Sequence, residues 1–112
     1  MKNRNQLIEA LISNLSNAIV HQILETAIDQ QEISEKYVKE FKNSWEIAKR
    51  YREKINPINN SLPEKDIEEI KIKVINKVKA ELKLRIERGY ENINLSLVPE
   101  LVDKALKELS VF

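Results

Sequence analysis

The chain has no cysteine, one glycine, three prolines and one histidine in 112 residues, and each shortage closes off a class of function. Without cysteine there is no disulfide framework and no thiolate metal site, which agrees with a reducing compartment. Glycine supplies positive φ and lets backbone approach phosphates closely, so a chain whose only glycine is Gly89 carries no Gly-rich phosphate loop and no dinucleotide fingerprint. A lone His21 excludes a multi-histidine metal centre within one subunit, and no Glu-x-x-His pair exists for a carboxylate di-iron bundle. Charge of one sign is also missing: 19 Lys and Arg against 18 Asp and Glu leave +1, too little to draw nucleic acid to the whole molecule. No stretch approaches the roughly 18 consecutive apolar residues of a membrane span, and MKNRNQ leads into an amphipathic segment rather than a signal peptide. The expectation is a cytoplasmic protein without membrane contact or cofactor.

What is present is the balance of a folded helical protein. Apolar residues make up 42% and charged residues 33%, enough for one small domain over residues 1–112 with a modest core.

The first periodic segment runs from about Asn3 to Gln30. Ile8, Leu11, Ile12, Leu15 and Ile19 fit the i, i+3, i+4, i+7 template, and Val20, Ile23, Leu24, Ala27 and Ile28 fit it again from a new origin, rotated by about 100°. A π-bulge, a broken helix, or a straight helix buried in two directions would each explain the shift. No Gly or Pro lies between Ser16 and Thr26 to break the helix. Its polar residues there are uncharged at neutral pH: Asn14, Ser16, Asn17, His21, Gln22 and Thr26, which a partner can cover at lower desolvation cost than Lys or Glu. Two-sided burial is therefore favoured, with Asn17, Val20, His21, Leu24 and Ile28 as the candidate interface. His21 reads as a hydrogen-bonded interface residue rather than a catalyst, and two copies brought together would repel on protonation.

Asp29 and Glu32 match a capping box, with Ile28 and Ile33 as the accompanying staple, so a break is expected near residues 29–33. Beyond it, Ile33, Tyr37, Val38, Phe41, Trp45, Ala48, Tyr51 and Ile55 form one stripe, the expected core face. NPINNS at 56–61 is a turn by composition. Pro63 then opens a third helix with Glu64, Asp66, Glu68 and Glu69 at its positive end. Ile70, Ile72, Val74, Val78, Ala80, Leu82, Leu84 and Ile86 alternate with polar residues as a strand would, and residues 80–97 could be drawn as a hairpin. Ile70, Val74, Val78, Leu82 and Ile86 are also four apart among helix-favouring Lys, Glu and Arg, which selects helix. Gly89 falls where a left-handed stop is wanted, with Tyr90 able to fold back onto Leu84. Pro99 starts a last helix with Leu101, Val102, Ala105, Leu106 and Leu109 inward.

The expected architecture is all-α: three long helices and one short C-terminal helix in an antiparallel bundle. Rods of about 35–40 Å in so short a chain should leave apolar flanks bare, so completion by a homodimer is expected, the first helix touching both copies. The function that follows is non-enzymatic protein–protein association, as a homodimer or as a subunit of a larger assembly. Two other readings compete. Lys36, Lys39, Arg50 and Lys54, with Asn43 between them, form a band on the second helix that could follow nucleic-acid phosphates, although Glu35, Glu46 and Glu53 lie beside it and the third-helix cations surround that helix on all sides. Glu32/Glu35, Asp66/Glu69 and Glu100/Asp103 are carboxylate pairs able in principle to hold Mg²⁺. They resemble the pairs of the all-helical nucleotide pyrophosphohydrolases, but their tandem spacing differs from that family's, which makes a metal-dependent hydrolase the remotest reading.

Overall fold

A computed structural model describes residues 3–28 and 30–112. Those residues form four helices, α1 (Arg4–Ala27), α2 (Gln31–Ile55), α3 (Glu64–Glu87) and α4 (Val98–Glu108), the last preceded by a 3-10 turn at Leu95–Leu97. No strand occurs among them, so residues 80–97 are a helix end and a loop rather than a hairpin.

Local chemistry sets the ends. Asn3 and Gln6 close a reciprocal capping box at the start of α1: the Asn3 side chain accepts from the Gln6 N–H and the Gln6 side chain accepts from the Asn3 N–H, satisfying two donors that the first turn leaves open. The helix stops at Ala27, just ahead of the break expected near residues 29–33, with Ile28 extended. Ser34 Oγ donates to the Glu25 carbonyl across the turn, 3.2 Å. Asp29 of the expected capping box lies outside the described residues. The residue that caps α2 is Gln30, without a side-chain hydrogen bond, and Ile33 is exposed rather than seated as a staple.

At the end of α3, Gly89 N–H bonds to the Ile86 carbonyl and Tyr90 N–H to the Arg85 carbonyl, with Gly89 at φ 100°. This is the Schellman arrangement. The ring expected to fold onto Leu84 lies instead under the Arg85 guanidinium, 5.6 Å from ring centre to cation. The same pattern ends α4, where Ser110 bonds to Lys107 and Val111 to Leu106. There the left-handed residue is Ser110, φ 59°.

Contacts between helices fix their directions. Glu25 meets Ser34 and His21 meets Glu40, so α1 and α2 are antiparallel; Arg4 meets Asp66 and Glu9 meets Lys73, so α1 and α3 run parallel. Lys71 meets Asp103 and Leu62 N–H bonds to the Val111 carbonyl, so α4 returns along α3. Each helix thus reverses the one before it in sequence.

α1 is the central element. Ile8, Leu11, Ile12, Leu15 and Ile19 share one continuous core with Val20, Ile23 and Leu24, together with Ile70, Val74, Val78 and Leu82 of α3 and Val98, Val102 and Leu106 of α4. The helix is α-helical throughout, which leaves two-sided burial as the account of the phase shift. Both sides, however, are covered by this chain. By length and composition α1 is apolar enough to cross a membrane, with a mean hydropathy of 1.2 over eighteen residues; in this fold it is the core helix.

Several of its uncharged polar residues bond to their own helix, the buried Ser16 among them. Asn14 donates to the Ala10 carbonyl, Ser16 to Ile12 and Thr26 to Ile23. Short side chains that bond back to their own helix need no outside partner, so they fit a core helix as well as an interface.

Candidate functional site

The five α1 residues expected at an interface are divided by the fold. Val20 and Leu24 are 4% and 0% exposed inside the chain's own core, and Ile28 is partly buried against it. Val20 and Leu24 therefore offer no free surface in this chain, and Ile28 only part of its own. Only Asn17 is exposed.

His21 is held between helices. Its Nε2 lies 2.9 Å from Glu40 Oε2, and its ring stacks on Tyr37, 5.7 Å between centroids. Nδ1 is buried without a hydrogen-bond partner. From Tyr37 a polar chain continues across the bundle: the Tyr37 and Tyr90 hydroxyls are 3.1 Å apart, Arg85 donates to Tyr90, and Glu81 accepts from Arg85 at 3.2 Å. Burial pushes the Tyr37 phenol above its ordinary pKa, and its bond to Tyr90 adds to this. Tyr90 moves down, first through its bond to Tyr37 and then through the donation from Arg85. The arrangement ties α1, α2 and the end of α3 together through side chains that occupy one another.

Lys36, Lys39, Arg50 and Lys54 all stand exposed on the outer side of α2. None enters an ion pair among the described residues, and Lys54 lies over the Tyr51 ring, 5.4 Å from its centre. Glu32, Glu35 and Glu46 precede Lys36, Lys39 and Arg50 by one turn, the order that favours a helical pair, so the band carries mixed rather than single-sign charge. Three members of the carboxylate pairs are taken by cations: Asp66 meets Arg4, Glu69 meets Lys73 at 2.9 Å, and Asp103 meets Lys71 at 2.8 Å. No cluster of three or more metal-ligating side chains occurs among the described residues.

A cleft of about 380 Å³, open to solvent, lies between α1 and α3. Ser13, Ser16, Asn17 and Val20 line one wall; Lys77, Ala80, Glu81 and Leu84 line the other. Small side chains make it shallow and let another backbone come near.

Sequence reasoning missed Arg52. Its side chain is fully buried, and all five guanidinium donors are used. Nε and Nη2 reach the Ser110 carbonyl, Nη2 also the Asn60 carbonyl at 2.7 Å, and Nη1 both the Asn56 carbonyl and its side-chain oxygen. No carboxylate is among these partners, and burial lowers the guanidinium's pKa. The only signal in the sequence was register: Arg52 follows Ala48 by four residues and so lies on the core side of α2.

The fold defines the class, a four-helix bundle with a central first helix. No protein-family model, curated protein or solved structure matches the chain.

Proposed function

We propose that this protein acts by binding rather than by catalysis, and that its partner is a second copy of itself. The observation that supports this is on α3. Ile72, Leu84 and Ile86 stay 58%, 47% and 40% exposed on a helix whose Ile70, Val74, Val78 and Leu82 are fully closed. Large apolar side chains left open gain from being covered by a partner. Covering one such side chain contributes about 1 kcal/mol, so the dimer expected is a weak one, in the micromolar range or weaker. The premise differs from that of the sequence: the open apolar surface is on α3, not α1. Nucleic acid on Lys36, Lys39, Arg50 and Lys54 has less support, because acidic residues alternate with those cations.

Light scattering on a sizing column, over roughly 5 to 500 μM, tests the proposal around the affinity expected from the buried area. A mass that climbs from one to two chains across that range is the expected result. A single-chain mass at every concentration would overturn it.

A further inference from the structure

The open face of α3 has two edges. On the helical wheel Ile72 and Ile86 stand about 120–160° from Leu84. Leu84 belongs to the edge beside α1, where it closes the cleft with Lys77, Ala80 and Glu81.

We infer that this cleft is the seam of the dimer and that a second copy enters it antiparallel, around a two-fold axis near Ala80. The inference rests on the self-association proposed above. Charge order selects the occupant. Lys77 lies one turn before Glu81, and because α1 and α3 run parallel the cleft has one direction. A copy turned through 180° presents the opposite order, Glu81 facing Lys77 and Lys77 facing Glu81, as an isologous contact requires. Lys77 is available for this: it makes no ion pair among the described residues, whereas Lys71 and Lys73 on the same helix do.

Shape agrees with charge. Leu84 lies two turns beyond Lys77, so the same rotation carries it toward the Ser13 end of the other copy's cleft, where small side chains leave room. The Ser16 hydroxyl already donates to Ile12 at 2.6 Å, so covering the floor strands no donor there. Asn17, exposed near the axis, has an amide that can both donate and accept across it.

The test is sedimentation of charge-reversal variants, with helicity checked by circular dichroism because Glu81 also accepts from Arg85. Lys77→Glu is expected to raise the dimer dissociation constant about tenfold and Leu84→Glu by more; K77E/E81K should return it close to the parent value. Ile72→Glu and Ile86→Glu should change it little. A dimer indifferent to L84E and K77E but dissociated by I72E or I86E would overturn the seam while leaving self-association standing. A parent chain that stays monomeric would remove both.

Discussion

At one end of the bundle a single buried cation, Arg52, gathers α2, the 56–61 loop and the chain's last residues through five hydrogen bonds. At the other, Glu40, His21, Tyr37, Tyr90, Arg85 and Glu81 share the work as a series of pairwise contacts. The difference is one of concentration. A charge taken wholly out of water must have every donor satisfied, and the groups satisfying it depend on it in turn. In the series only Tyr37 is buried, and water can replace its more exposed members at small cost.

Removing Arg52 should therefore have the largest effect. Arg52→Ala leaves carbonyls of Asn56, Asn60 and Ser110 without their donor and opens a cavity beside the core. The expected loss is about 3 kcal/mol or more, a fall in Tm of roughly 10–20 °C. Arg52→Lys should lose nearly as much, since one ammonium cannot span acceptors on three segments. Urea denaturation of both variants checks this, and a lysine variant with parental stability would show that charge alone suffices.

The same contrast shows what a sequence makes legible. The helices were readable because apolar residues recur at helical spacing along each one, and α1's burial in two directions was readable for the same reason. Whose atoms cover it was not. Periodicity records that Val20 and Leu24 are inward, but an inward residue looks the same whether its neighbour comes from this chain or another. The strand-like alternation in α3 has a related cause: Ile72, Ala80 and Leu84, which supplied it, are exposed and lie outside the stripe that the core required, while Ile86, which belongs to both patterns, is exposed as well. Arg52 was hidden by its surroundings, since in a chain rich in Lys and Glu one cation on the core side resembles its solvated neighbours.

At the distributed end, Tyr37→Phe removes one hydroxyl and should cost about 1 kcal/mol at neutral pH. Its alkaline behaviour sharpens the comparison. A phenol whose folded pKa is raised, as for Tyr37, stabilises fully below the ordinary value of about 10 and loses that contribution as pH climbs through the folded value. Tyr90, lowered, gains stability above its folded value and opposes the loss. Phenolate absorbance of the parent should therefore show one tyrosine ionising early and one late. In the Phe variant the late one disappears and Tyr90 moves back upward, because its largest source of depression is gone. An unchanged Tyr90 titration would mean that Arg85 alone sets it.

The two Schellman turns, one at each end, give the smallest and most closely matched pair of changes. Both place a left-handed residue after a helix, but Gly89 has the conformational freedom the turn asks for and Ser110 does not. A Cβ at Gly89 would meet nothing within 4 Å, so Gly89→Ala tests backbone strain alone and should cost about 1 kcal/mol. Ser110→Gly should act in the opposite direction. Its contacts to Arg52 come from the carbonyl, which glycine keeps, while the positive φ becomes free of strain. Against this gain stands the greater freedom of glycine in the unfolded chain, so the net should be about 0.5 kcal/mol in favour of the variant, a rise in Tm of roughly 2–4 °C. A Ser110→Gly chain that melts lower than its parent would mean that the buried guanidinium holds the last turn so firmly that left-handed strain costs little, and would assign the stability of that end to Arg52 alone.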